Sequence, residues 1–345
     1  MTRRIRRYIR NASAFPALLG MLLMAMLPSL GGCDAMHSDL EPCPQGVSLR
    51  FRSNHYIDDG EFFAANVDCL TVFVFDSIGH RVLPSMNFYA PEISDENWRL
   101  PLDLPEGKYT ILAYGGMACE KSSFRFDFHN DTPDLEDIEV VMKPSVIGRD
   151  PGVYLHPLYY GITEVEVPSV AESTGYVAGT INMWKDTNNV RILLANAAGV
   201  TIDVEDFDFR ITDDNTRMNW ENNVIPSQTV TYYPWISGNT VGGLNVAGDP
   251  FMVAYAEIST GRFMRRSQAR LLVTRSSDGE SVIDLPLVNI LLLMQSEAYS
   301  YLSPQDFLDR ENRWELTFFL TEDGRWLDTT IRINDWVVRI NNIVS

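Results

Sequence analysis

Residues 14–27, AFPALLGMLLMAML, form an unbroken apolar run, and beyond it the pattern changes to short alternations. In GVSLRFRS, Val47, Leu49 and Phe51 share one parity while Ser48, Arg50 and Arg52 share the other. A period of two predicts a half-buried strand. CLTVFVFDSIGHRVL holds an apolar stretch from Leu70 to Phe75, a turn at Asp76-Ser77-Ile78-Gly79 and a return through Arg81-Val82-Leu83. That order predicts a hairpin whose first arm lies inside a sheet. DLPEGKYTILAYGGM repeats the logic: Pro105-Glu106-Gly107 turns the chain, Tyr109 to Tyr114 form a strand, and Gly115-Gly116 end it. SFRFDFHN, DIEVVMK and LYYGITEVEVP add further arms.

Residues 143–152, KPSVIGRDPG, break this rhythm with proline and glycine, and residues 172–174, EST, read as a polar joint. A domain boundary is expected near Ser173. The second half restarts with GYVAGTINMW, NVRILLAN, DFDFRITD, TVTYYPW, FMVAYAEI, ARLLVTRS and SVIDLPL. Short arms separated by turns argue for a β-sandwich rather than alternating strand–helix units. Two helices are predicted late in the chain. One covers Val288 to Met294. The other, QDFLDR, opens at Ser303-Pro304, an N-cap followed by proline at the first helical position. After WELTFFL and a turn at Glu322-Asp323-Gly324 comes TTIRINDWVVRI. Ile331 and Ile333 share one parity there, and Trp336, Val338 and Ile340 the other. A bulge or bend at Asn334-Asp335 is expected; the alternative is a strand covered on both faces.

The N-terminal apolar run follows MTRRIRRYIR, which carries five arginines and no acid. It is shorter than the ~20 residues of a spanning helix. A basic head and a short apolar core predict a secretory signal peptide rather than a membrane anchor helix. Leu30-Gly31-Gly32-Cys33 then resembles the lipobox of bacterial lipoproteins. That resemblance implies diacylation of the Cys33 thiol and cleavage before it; an ordinary thiol after a plain signal peptide is the alternative. Residues 1–32 are thus expected to be the signal peptide and 33–45, with its prolines and no periodicity, a lipidated tether. Each buried methylene of an acyl chain adds ~0.8 kcal/mol of membrane affinity, so several chains anchor stably.

The net charge of -18 becomes -23 once residues 1–32 and their five arginines are removed (-18 - 5). Such a surface repels phosphate, so nucleic acid is not an expected partner, and it is repelled by anionic lipid. The remaining 313 residues (345 - 32) suit two domains with cores of their own, 46–173 and 174–345. With Cys33 acylated, Cys43, Cys69 and Cys119 remain. One bridge at most can form, and the sequence does not choose the pair. Cys69, inside an apolar strand, is expected to be a buried small hydrophobe. His37, His55, His80, His129 and His156 fit no metal or hydrolase spacing. Gly115-Gly116 and Gly242-Gly243 read as turns. DFDFRITDDN lacks calcium-loop spacing and reads as a strand with one wet face. No catalytic, cofactor-binding or metal site is expected. Trp98, Trp184, Trp220 and Trp235 are candidates for stacking on sugars, with filling of cores and loops as the simpler role.

In order, the lipobox, CPQGVSLRF, VDCLTVFVFDSIGHRV, LPEGKYTILAYGGM, LYYG, SPQDFLDRENRWELTFFL and IRINDWVV resemble the FimB-like fimbrial anchor family of Bacteroidota over most of the mature chain. The resemblance implies an all-β protein: two tandem transthyretin-like β-sandwich domains with minor helices. It implies an outer-membrane, lipid-anchored protein at the fimbrium base on the cell surface, which ties the stalk to the membrane and limits its length. Its implied partners are fimbrial stalk subunits, joined by strand exchange. Stalk members of this wider group are usually cleaved after an arginine beyond the first strand. Arg50 and Arg52 lie within that strand here, which fits an anchor that keeps its N-terminus. A surface carbohydrate-binding lipoprotein and a fimbrial tip adhesin are the alternatives.

Overall fold

A computed structural model describes residues 44–53, 63–128, 132–169, 175–295, 299–334 and 336–339. In the first half, alternating and continuous apolar segments become β1 (Gln45–Arg52), β2 (Cys69–Asp76), β3 (Met86–Tyr89), β4 (Leu100–Asp103) and β5 (Gly107–Gly115). They are followed by β6 (Phe124–Phe126), β7 (Glu139–Met142), β8 (Tyr159–Val167), β9 (Gly175–Asn182) and β10 (Trp184–Lys185). The second half supplies β11 (Asn188–Asn196), β12 (Phe207–Asp213), β13 (Arg217–Asn219), β14 (Val230–Tyr232), β15 (Ile236–Leu244) and β16 (Pro250–Thr260). It closes with β17 (Arg270–Arg275), β18 (Ser281–Pro286), β19 (Arg313–Leu320), β20 (Trp326–Ile333) and β21 (Trp336–Arg339). Helices are short: α1 (Phe63–Asn66), α2 (Leu287–Leu291) and α3 (Pro304–Arg310).

The protein is all-β, built as two sandwiches. The first packs sheet β4-β1-β9 against sheet β10-β8-β5-β2-β3. Val47, Leu49, Leu70, Val72, Val74 and Ile111 meet in the core between them. The odd positions of β2 point the other way. Phe73 and Phe75, with Leu112 and Tyr114 of β5, pack beneath a small sheet, β13-β7-β6, into a core continuous with the second sandwich. Cover on both faces explains why CLTVFVF is apolar at every position but Thr71, whose hydroxyl donates to Asn87 Oδ1. The second sandwich packs sheet β15-β16-β11-β19-β20-β21 against sheet β14-β12-β17-β18. Ile192, Leu194, Phe318 and Leu271 lie in its core.

The turn after β2 forms as expected. Asp76 Oδ1 accepts from the amides of Ile78 and His80, and Gly79 takes a φ of 89°, a left-handed value that favours glycine. The return arm makes a single bridge to β2, Phe75 opposite Arg81, closed by hydrogen bonds of His80 and Val82, and β3 pairs with β2 over four residues. α3 also forms as expected, with the Ser303 side chain accepting from the Asp306 amide. Val288 to Met294 splits into α2 and one 3₁₀ turn.

Three sequence expectations differ from the structure, and the pairing of β9 and β10 bears on the joint between the halves. Cys69 is not a free small hydrophobe: it is bonded to Cys119. Leu70 of β2 lies opposite Gly115 at the end of β5, so the loop that follows returns Cys119 to within 5.6 Å, Cα to Cα, of Cys69. The terminal segment is neither one bulged strand nor one strand covered twice. The chain reverses, and Ile333 of β20 pairs with Trp336 of β21 across Asn334, whose φ is 49°. A hairpin inverts parity just as a bulge does. Gly242-Gly243 sits within strand β15, at a register shift, rather than in a turn. Residues 175–182, read as the start of the second half, pair with β1 along its whole length, and β10 pairs with β8, so strand pairing within the first sandwich runs past residue 173.

Candidate functional site

The first described strand is held from both sides. β1 pairs in parallel with β9 from Gln45↔Gly175 to Arg52↔Asn182, and antiparallel with β4 from Gly46↔Asp103 to Leu49↔Leu100. Val47 and Leu49 are fully buried, and Phe51 stacks on Phe63 and Trp98 with ring centroids 5.5 and 5.7 Å apart. Gly46 has a φ of 155°, and a Cβ there would stand 1.9 Å from the Leu102 carbonyl oxygen, so the close approach of β4 requires glycine. Burying a large apolar side chain contributes ~1.5–3 kcal/mol, so Val47, Leu49 and Phe51 together contribute ~5–9 kcal/mol. That is comparable with the whole stability of a domain, ~5–15 kcal/mol. β1 is therefore a core element, and a segment attached to its N-terminal end is attached to the body of the first sandwich.

A buried polar cluster ties the linking segment to the second half. Asp186, between β10 and β11, is 1% exposed. Its backbone amide donates to the Leu158 carbonyl, and its Oδ1 accepts from Asn222 Nδ2 at 2.9 Å. Arg262, just after β16, lies 3.7 Å from the same carboxylate and makes two hydrogen bonds to Asp309 of α3, at 2.9 and 2.7 Å. Burial pushes the Asp186 carboxyl up to about 7, against the pull of Arg262 and of the Asn222 bond. Burial likewise pushes Asp213 of β12 up to about 6, while Ser267 donates to it. Sequence reading missed both. An aspartate beside a strand looks solvated, and only the tertiary fold buries it.

The remaining candidates do not converge. Trp98 packs against Phe51 and Phe88 beside a cleft of about 110 Å³ that Arg50, Asp95 and Glu96 also line. Trp220 lines a different cleft, together with residues 76–79 of the turn after β2. Trp235 donates to Asn189 Oδ1 and meets Tyr154 edge to face, and Trp184 is half-buried in β10. Trp98 and Trp220 thus line separate clefts. His80 is exposed and pairs with Asp134 at 3.1 Å; the hydrogen bond and charge of Asp134 raise its pKa. Burial lowers that of His156. β12 exposes Asp208 and buries Phe209, as a strand with one wet face should. Leu30, Gly31, Gly32 and Cys33, with His37, Cys43, His55 and His129, lie outside the described residues. No described helix is long and apolar enough to cross a membrane.

A tandem β-sandwich is the fold this chain shares with solved structures described as candidate adhesins. The structure is similar to that of a candidate adhesin from Bacteroides thetaiotaomicron, with 40% identity and a TM-score of 0.82, over 88% of this chain and 100% of that one. The chain belongs to the family of fimbrillin-A associated anchor proteins Mfa1 and Mfa2, whose model matches residues 40–342. It is 24% identical over 279 residues to the minor fimbrium anchoring subunit Mfa2 of Porphyromonas gingivalis, 79% of this chain and 80% of that one. The fimbrial anchor protein Mfa2 of the same organism shares the fold, with a TM-score of 0.62 at 18% identity over 86% of this chain and 99% of that one. The expected kinship with fimbrial anchors is therefore shown, and with it a fimbrium-associated anchor role.

Proposed function

We propose that this chain is the outer-membrane base of a fimbrium, held by acyl chains on Cys33 and joined to stalk subunits through a strand edge, so that it ends the fibre and limits its length. Membership of the anchor family supports the role. The structural observation that carries the reading is β1. It lies between β4 and β9 with Val47, Leu49 and Phe51 buried, so the tether of residues 33–45 leads into a strand that cannot leave without unfolding its sandwich. A subunit that gives up its first strand to receive another would need that strand to be dispensable. The domains proposed are 46–173 and 174–345, with β9 reaching back across the joint to complete the first sandwich.

Metabolic labelling with a fatty-acid analogue tests the lipid half of this reading. Wild type is expected to take up label and fractionate with the outer membrane, and Cys33→Ala to take up none and to stall as precursor or be released. Equal label in both proteins would overturn acylation at Cys33.

A further inference from the structure

The edge strands of this protein are guarded, with few exceptions. β3, β4, β14 and β21 are three or four residues long. β18 carries Asp284, which pairs with Arg270 at 2.6 Å, and ends in Pro286. Shortness, charge and proline keep foreign strands from pairing with an exposed backbone. β15 has none of these. It is nine residues, ISGNTVGGL, with no charge and no proline, and no residue of it is buried. β9 is also long and uncharged, but its exposed ring, Tyr176, is engaged by a hydrogen bond to Asp103. As an antiparallel edge, β15 leaves alternate N–H and C=O groups facing away from β16, its one partner among the described strands.

The outer face of the sheet beside β15 is divided. Toward one end it is ionic: Arg191 lies 3.9 Å from Glu257 and 3.8 Å from Glu315, and Arg332 reaches Glu315 at 3.3 Å. Toward the other end it is hollow, with an open groove of about 540 Å³ whose lining mixes apolar residues with Thr240, Asn245 and Arg332. Val253 and Thr317, both buried, lie within it, flanked by Phe251 and Phe319. Val241 and Leu244 of β15 line it from the edge and are 62% and 69% exposed. Gly242 stands at the register shift between Val241 and Gly243. A Cβ there would come within 2.3 Å of Val253 and 2.7 Å of Phe251, so the bare backbone of β15 rests on those side chains. The groove's cation, Arg332, is paired, which leaves the hollow electrically neutral in a chain of net charge -18.

We infer that the β15 edge is a docking site for one extended, uncharged strand of a partner polypeptide, added to the six-stranded sheet with an apolar side chain in the neighbouring groove. Backbone bonds along β15 supply strength and the groove supplies selectivity. Electrostatics choose the occupant. A charged segment loses hydration against a neutral hollow without gaining an opposite charge. A second copy of this chain, at -18 in full and -23 without residues 1–32, brings like charge toward like, which opposes association. The identity of the partner as a fimbrial stalk subunit rests on the anchor reading above; the edge and the groove do not.

Tagged protein solubilised from the outer membrane of fimbriated cells is captured, and co-captured stalk subunit is quantified by mass spectrometry. The variant carries Val241→Lys and Leu244→Lys, both at exposed positions. Ile78→Lys, at a 74% exposed position in the first sandwich, is the control. The double variant is expected to melt as wild type does and to capture stalk subunit about tenfold less well, the control to match wild type. Equal capture by wild type and a folded double variant would overturn the docking edge while leaving the anchor reading intact. Sedimentation of wild type as a dimer that the double variant abolishes would give the edge to a second copy and overturn the proposal. Capture of no stalk subunit even by wild type would overturn the anchor reading, and the partner assigned to the edge with it.

Discussion

Removing the Cys69–Cys119 bridge should destabilise the first sandwich by an amount that chain statistics set. The two residues are 50 apart in sequence. Without the bridge, the unfolded chain regains the freedom of a loop of that length, which at 25 °C corresponds to ~4 kcal/mol in the chain-entropy account. Cys69 is fully buried at the start of β2, so the replacements must be small: Cys69→Ala with Cys119→Ser. Loss of one buried sulfur adds a modest packing cost in the same direction. In a protein of this length each kcal/mol lowers the melting temperature by about 2 °C, so the double variant should melt roughly 8 °C below wild type. Urea unfolding of both proteins under oxidising conditions gives the free-energy difference directly. Adding reductant to wild type should bring its transition toward that of the variant. Transitions that coincide before reduction, within about 1 kcal/mol, would show that the loop after β5 holds its place without the bridge and would refute the reasoning.

Three further outcomes are expected. Phe73→Ala or Phe75→Ala, each at a fully buried ring of β2, should cost ~3–5 kcal/mol by thermal or chemical unfolding. Asp186→Asn should flatten the dependence of stability on pH. The folded carboxyl is raised to about 7 from an ordinary 3.8, so the native state keeps a proton that the unfolded chain releases. Its contribution is present below about pH 4 and is lost as pH rises toward 7 and beyond, and the difference in unfolding free energy between pH 5 and pH 8 should shrink in the variant. Asp213, also raised, retains part of the slope. Ser303→Ala removes the oxygen that accepts the Asp306 amide at 3.1 Å and should cost ~1 kcal/mol.

The strands that could be read from the chain are those whose burial is written in local alternation. β1 shows a period of two because one face is core, and β2 shows none because both faces are. The turn at Asp76-Ser77-Ile78-Gly79 is legible because an aspartate and a glycine fill the positions that need them. β15 was not legible. An edge strand with no buried residue leaves no hydrophobic period, and its glycines imitate a turn. The reversal at Asn334 was visible as a parity change, but hairpin and bulge produce the same change, and only the pairing of Ile333 with Trp336 separates them. The bridge was beyond the sequence because three cysteines allow three pairs. The choice depends on β5 running antiparallel to β2 and returning Cys119 to its start. Asp186, Arg262 and Asp309 come from three distant segments, and nothing at any one of them announces the others. The proposed lipobox, Leu30-Gly31-Gly32-Cys33, is of the opposite kind: such a motif is recognised as linear sequence and needs no fold to be read.

Electron microscopy of cells lacking this chain, with immunoblotting of cells and medium for the stalk subunit, tests the anchor role most directly. The account requires fimbriae to detach: bare cells, fimbriae free in the medium, and reattachment when wild type but not Cys33→Ala is restored. Fimbriae still fixed to cells that lack the chain would contradict it.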